Sequence, residues 1–162
     1  MADYLLTGAA GFIGARTAEL LLEAGHTVLG VDDVNDAYDP RMKRHRLAKL
    51  ASRKGFTLLE IDIAQRPALA AIPERRFDAV LNLAARAGVR ASVANPWLYV
   101  NANVTGTLNL LEWCRARGVR KFVLSSTSSV YGGSDASVFR EDQDTSRPFS
   151  PYAASKKAAE AL

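Results

Sequence analysis

One cysteine, Cys114, is present in 162 residues. That count excludes an internal disulfide framework and any zinc site built on several thiolates, and it fits a reducing cytoplasm. Long apolar runs are also missing: no stretch approaches the roughly 20 residues that span a bilayer. The first residues, Met1 to Gly14, carry Asp3 and no basic leader region, so they do not read as a secretory signal. Acid is scarce around residues 41–54, where Arg41, Lys43, Arg44, His45, Arg46, Lys49, Arg53 and Lys54 crowd together. A helix reading a phosphate backbone and a solvated helix near an anionic ligand both fit such a run. No aromatic platform accompanies it, and Leu47 and Leu50, with Met42, form an apolar stripe that would dock it on a core. The solvated helix is favoured, and nucleic acid is not expected as a partner.

What is present suits a single globular domain. Hydrophobic residues make up 48% and charged residues 23%, enough to bury a core and too apolar for disorder. The 21 Lys and Arg against 17 Asp and Glu leave +4, a mild charge compatible with anionic ligands.

Short apolar runs alternate with helical patterns, the signature of a parallel, doubly wound α/β sheet. Strands are expected at Tyr4–Leu6, Thr27–Val31, Phe56–Ile61, Phe77–Leu83 and Lys121–Ser125. Between them come helices over Phe12–Ala24, over the basic run and over Pro96–Arg117. The last of these should turn Val100, Val104, Leu108 and Leu111 inward and end at Gly118. Ala68–Ile72 is at most a short helix. Residues 132–149 read as a polar loop, and Ser150-Pro151 opens a final helix with a capping serine and a proline at its first position. That helix stops at Leu162 without a stop signal. The chain therefore reads as one dinucleotide-binding domain over 1–162, cut within its last helix and lacking a second domain.

Gly8, Gly11 and Gly14 fall directly after the first strand and open the first helix. One glycine can make the tight turn, one can admit a pyrophosphate to the backbone, and one can let helix and strand pack closely. The helix N-terminus adds unsatisfied N–H groups and partial positive charge. Asp32 closes the second strand, where a carboxylate accepts from the adenosine ribose hydroxyls and repels a 2′-phosphate. Asp33 strengthens the preference for NAD, although Arg41 and Lys43 stand near enough in sequence to receive a phosphate. A turn-capping aspartate is the alternative for Asp32. Asp62 and Ile63 end the third strand on the same edge, placed to reach an adenine amino group and pack on its ring.

Tyr152 and Lys156 are four apart in the last helix and so share a face. A tyrosine of ordinary pKa, about 10, is a poor base at neutral pH; a nearby ammonium and a positively charged nicotinamide ring favour the phenolate. The hydroxyl cluster Ser125–Ser129 follows the fifth strand at the edge where such sheets bind ligands. A hydroxyl there can hydrogen-bond a substrate oxygen that gains or loses a proton.

With these motifs in this order, the chain resembles the extended short-chain dehydrogenase/reductase family of nucleotide-sugar enzymes, a Rossmann fold. The resemblance runs from TGAAGFIG through NLAARAGVR and SSTSSVYGG to PYAASKK. VDDVNDAYDPRMKRHRL and the long helical segment around Asn103 look most like the UDP-glucuronate 4-epimerases. By the family pattern, Thr127, Tyr152 and Lys156 are the catalytic set. NAD is the implied cofactor, contacted by Gly8, Gly11, Phe12, Ile13, Gly14, Asp32, Asn35, Asp62 and Ile63. Leu83, Ala84, Ala85 and Ala87 continue that surface, together with Asn103, Tyr152 and Lys156. Arg86, Thr127, Ser128, Ser129 and Tyr131 fall near the sugar site; no metal is implied. Related dehydratases and decarboxylases carry a glutamate after the threonine. Ser128 and Ser129 supply no such carboxylate and can hold one on the substrate, which favours epimerisation of a UDP-sugar by transient oxidation at C4.

The resemblance also implies a homodimer through the Asn103 and Tyr152 helices, with Cys114 a buried small hydrophobe and Trp97 and Trp113 packing residues. Full members have a further C-terminal portion that supplies much of the sugar site. Another enzyme of the family, or a non-catalytic NAD-binding module, is the alternative reading.

Overall fold

The computed structural model describes residues 1–134 and 137–162, so the expected polar loop 132–149 is described except at 135 and 136. Five strands form one parallel sheet: β1 (Asp3–Thr7), β2 (Thr27–Asp32), β3 (Phe56–Glu60), β4 (Ala79–Asn82) and β5 (Phe122–Leu124), in the order β3-β2-β1-β4-β5. The chain starts in the middle, winds outward to β3, then crosses back to β4. The order therefore reverses beside β1, and a crevice opens at the carboxyl ends of the strands there.

Alternating strand side chains build a core on each face of the sheet. Leu6 and Val28 point toward helix α1 (Phe12–Glu23) and helix α2 (Pro40–Ala51), meeting Ala15, Ala18 and Leu50. Their neighbours Leu5 and Leu29 point the other way, into a cluster with Val80, Phe77, Leu110, Trp113 and Cys114. Both faces are covered, which explains why the strands read as continuous apolar runs. Among the described residues no helix is long and apolar enough to cross a membrane.

The second half carries α3 (Val89–Ala94) and α4 (Pro96–Tyr99). A π-helical segment (Val100–Thr105), α5 (Gly106–Arg117) and α6 (Pro151–Ala161) follow. Gly118 ends α5 in the left-handed conformation, φ 67°, as expected. The Ser150 hydroxyl caps α6, accepting from the Ala153 N–H at 3.1 Å. In place of a helix over Ala68–Ile72 there is a 3₁₀ segment, Arg66–Ala71.

Three expectations are corrected. Val100 and Leu108 do not face inward on the long helix; both are about half exposed. Its buried side is Asn103, Gly106, Thr107, Leu110, Trp113 and Cys114. Polar residues win there because the carboxyl ends of the strands present buried backbone groups that need partners. Asn109 Nδ2, for example, donates to the carbonyls of Ile63 and Ala64 at 3.0 and 3.1 Å. Met42 lies outside the stripe of α2 and is 53% exposed, whereas Lys43 is buried. Trp97 is 81% exposed and does not pack, unlike Trp113, whose ring lies 5.9 Å from that of Phe77.

Candidate active site

The turn after β1 shows what each glycine is for. Gly8 adopts φ 72°, and its missing Cβ would lie 2.8 Å from the Ala84 nitrogen, so the turn presses directly on the loop after β4. Gly14 packs more tightly: a Cβ there would lie 2.0 Å from the Gly8 carbonyl oxygen. Gly11 is the N-cap of α1 and lines the crevice without a side chain of its own. The first N–H groups of α1 have no intrahelical acceptor and stand open to an anion. Phe12 and Ile13, in that first turn, are exposed and lie off the crevice wall.

Asp32 lines the same crevice, beside the glycine turn, and is buried. Its Oδ2 accepts from the Ala10 N–H at 3.0 Å and its Oδ1 from the Val34 N–H at 2.9 Å. It caps its own turn, as the alternative reading held, and at the same time ties that turn to the glycine loop. Val34 is driven to φ 46°, a left-handed conformation that a β-branched residue adopts only under strain of about 1–3 kcal/mol. Asn35 faces the crevice, its Nδ2 donating to Asp33 Oδ2 at 2.6 Å. Asp62, Ile63, Leu83, Ala84, Ala85 and Arg86 complete the wall. The helix N-terminus and the carboxylates lining one crevice suit a ligand with an anionic centre and hydroxyl groups, and the bare glycine backbone leaves room for close approach.

Arg41 does not reach this crevice. Its guanidinium is bonded to Asp39, the N-cap of α2, at 2.7 Å. Lys43, the other candidate for a phosphate, does reach it; so do Ala37, Tyr38, Leu98, Asn101 and Ala102, which the sequence does not mark as binding residues. For Lys43 a signal was available: Asp39-Pro40 fixes the helix start, and positions 43, 47 and 50 then share one face.

Behind the crevice runs a buried polar chain. Thr7 Oγ1 donates to Asn82 Oδ1 at 2.6 Å and accepts from the Ala84 N–H at 3.1 Å. Asn82 Nδ2 donates to Thr107 Oγ1, which donates to the Asn103 carbonyl at 2.7 Å. The Asn103 side chain accepts from the Arg86 N–H at 2.8 Å, and donates to the Arg86 carbonyl at 3.1 Å and to Ser155 Oγ at 2.9 Å. Asn103 is fully buried, so it holds the β4 loop and α6 in place from behind the wall. Of the side chains in this network the sequence marks only Asn103; Asn82, a polar residue inside an apolar strand, is the sign that points to the rest.

Thr127, Ser128, Ser129 and Tyr131 form one turn after β5, with Thr127 Oγ1 accepting from the Ser129 N–H at 3.2 Å. Helix α6 packs on this turn, on α3 and α4 and on the π segment. Tyr152 is half-buried, its ring edge-on to Tyr99 at 6.1 Å, and the Tyr99 hydroxyl donates to the Ala87 carbonyl at 3.0 Å. Lys156 is 2% exposed, and burial pushes its ammonium pKa down while the charge of Glu160 opposes the shift. Ser126 in turn bonds Glu160. Thus the turn after β5, the β4 loop and α6 converge at one end of the crevice. Thr127, Tyr152, Lys156, Ser128, Ser129, Tyr131 and Ala87 are not among the residues that line the crevice.

A profile of the NAD dependent epimerase/dehydratase family matches residues 4–162. A UDP-glucuronate 4-epimerase from Thermodesulfobacterium geofontis is 54% identical over the whole chain, which covers 50% of that protein. A probable UDP-glucuronate 4-epimerase from Rhizobium meliloti is 39% identical, with 98% of this chain and 47% of the relative aligned. Among solved structures, UDP-glucuronic acid 4-epimerase from Bacillus cereus, in complex with UDP-glucuronic acid and NAD, superposes with a TM-score of 0.86 at 34% identity. There the match covers 98% of this chain and 50% of that one. The UDP-Glc/GlcNAc 4-epimerase of Campylobacter jejuni gives 0.89 at 31% identity, over 99% and 47%. The chain spans about half the length of the curated relatives it matches.

Proposed function

The chain belongs to the NAD dependent epimerase/dehydratase family, and on that footing we propose that it is the NAD-binding portion of a UDP-sugar 4-epimerase, with UDP-glucuronate as substrate. One observation carries the reading: the glycine turn and the Asp32 carboxylate, joined by the Ala10 N–H, line one crevice at the switch point of the sheet. The N-terminus of α1 and Gly11 would take the pyrophosphate, Asp32 the adenosine ribose, and Asp62 and Ile63 the adenine. Leu83, Ala84 and Ala85 would line the path toward the nicotinamide end.

NAD+, when bound, would supply the hydride acceptor for sugar C4 and, in its reduced form, the hydride donor. The residues of this chain manage the proton. Tyr152, as phenolate, takes it from the 4-hydroxyl and later gives it back, and Thr127 holds the same oxygen by a hydrogen bond. Lys156 lies one helical turn from Tyr152; its ammonium favours the phenolate and orients the nicotinamide ribose. Ser128 and Ser129 hold the sugar carboxylate without adding a group that could drive elimination. Arg86 and Tyr131 complete this end. The half-exposed Val100 and Leu108 favour a homodimer through the Asn103 and Tyr152 helices, in the reducing cytoplasm that a single buried thiol suits.

The test is to titrate the purified chain with NAD+ by calorimetry, then add UDP-glucuronate and follow the sugar by proton NMR. NAD+ binding is expected. UDP-galacturonate formation that disappears in Tyr152→Phe would extend the proposal to a complete site. Absence of NAD+ binding would overturn it.

A further inference from the structure

Lys43 belongs to the most basic stretch of the chain, yet it is 5% exposed while most of its basic neighbours on α2 are solvated. A lysine is rarely withdrawn from water without a task for its charge. Its Nζ donates to Asn35 Oδ1 at 3.0 Å, stands 3.8 Å from Asp32 Oδ1, and lies 5.2 Å from the centre of the Tyr38 ring. All four residues line the crevice. Asn35 Oδ1 also accepts from the Ala37 N–H at 3.0 Å, and the other end of its amide is held by Asp33. The ammonium therefore pins a loop whose first turn is strained at Val34, and it does so from the side away from solvent. Because its charge is engaged by Asp32, Asn35 and Tyr38, it is not free to receive a ribose phosphate, although its place in the sequence suggested that use.

We propose that Lys43 is a positioning residue for the adenosine end of the dinucleotide site, acting through Asp32 and Asn35 to fix those two side chains in the crevice wall that would receive a ribose diol. This rests on the NAD-binding reading above. Charge-assisted hydrogen bonds of this kind govern roughly tenfold changes in affinity or more.

The experiment is calorimetric titration of the whole chain with NAD+ and with ADP-ribose, for the wild type, Lys43→Met, Asp32→Asn and the double variant. Circular dichroism confirms that each is folded. Lys43→Met should weaken both ligands by the same factor, about tenfold. The double variant should lose less than the product of the two single losses, since part of the effect of Lys43 runs through that carboxylate. If Lys43→Met does not fold, Asn35→Ala removes the other end of the same bond and should weaken both ligands in the same way. A wild type that binds NAD+ while Lys43→Met binds equally well overturns this inference and leaves the functional reading standing. Losses that add in the double variant, or that spare ADP-ribose, also overturn it. A wild type that binds neither ligand overturns both readings.

Discussion

Replacing Gly14 by alanine perturbs the closest backbone approach at the candidate site. The added Cβ would lie 2.0 Å from the Gly8 carbonyl oxygen and 2.7 Å from its carbonyl carbon. Both are main-chain atoms, so no rotamer change relieves the clash. The turn cannot retreat either. The Gly8 N–H is bonded to the Val31 carbonyl at 2.8 Å, the Gly8 carbonyl accepts from the Gly11 N–H at 3.0 Å, and Gly8 already abuts the Ala84 backbone. Helix α1 must instead withdraw by about 1 Å or more, opening the interface of Ala15 and Ala18 with Leu6. Overpacking of this kind costs about 1–3 kcal/mol. Weakening the Gly11–Gly8 bond adds about 1 kcal/mol, and the better helix propensity of alanine returns about 1 kcal/mol. A net loss of about 1–3 kcal/mol follows, a fall in melting temperature of roughly 2–12 °C for a chain of this size. Urea denaturation followed by circular dichroism measures it, with Gly25→Ala as the reference. Gly25 has φ 79° but open space around its Cβ, so alanine there meets only left-handed strain of about 1 kcal/mol. A Gly14→Ala chain as stable as the wild type, or less affected than Gly25→Ala, would refute the reasoning.

Asn103→Ala removes three hydrogen bonds, two to the half-buried Arg86 backbone and one to buried Ser155, and should lower stability by about 2–4 kcal/mol; an unchanged urea midpoint would contradict the clamp. Lys156 has a folded pKa below its ordinary 10.5 because burial disfavours the ammonium. The unfolded chain thus binds more protons between the two values, and this residue's contribution to stability rises with pH across that window. Relative to Lys156→Met, the wild type should gain stability as pH climbs toward 10.5, and parallel pH profiles of the urea midpoints would refute this. Burial pushes the Cys114 thiol up to about 11, so iodoacetamide at pH 8 should leave the native chain unlabelled by mass spectrometry and label it in urea. Rapid labelling without denaturant would contradict its place in the core.

Features set by local chemistry were readable from the order of residues. The glycine turn was visible because three glycines at the mouth of a helix answer to steric demands that no other residue meets. The Ser150-Pro151 start and the Gly118 stop were visible because caps act on their own helix termini. The strands were visible because burial on both faces leaves a run with little polar interruption, and the parallel order follows from the helices between them. Asp32 could be placed at a strand end beside the turn for the same reason.

The inward face of the long helix was only partly readable, because local periodicity favoured Val100 and Leu108 whereas the strand ends demanded hydrogen-bonding partners. The sequence by itself determined the sheet, the turn and the residue types at the crevice, since each depends on neighbours a few positions away. Only the tertiary structure decided which polar groups do the holding. Lys43 reaches Asp32, Asn103 clamps Arg86 to Ser155, and Thr7 meets Asn82. Those partners lie 11 to 75 residues apart, and a buried polar group is satisfied by whatever the fold brings within about 3 Å of it, not by what precedes it in the chain.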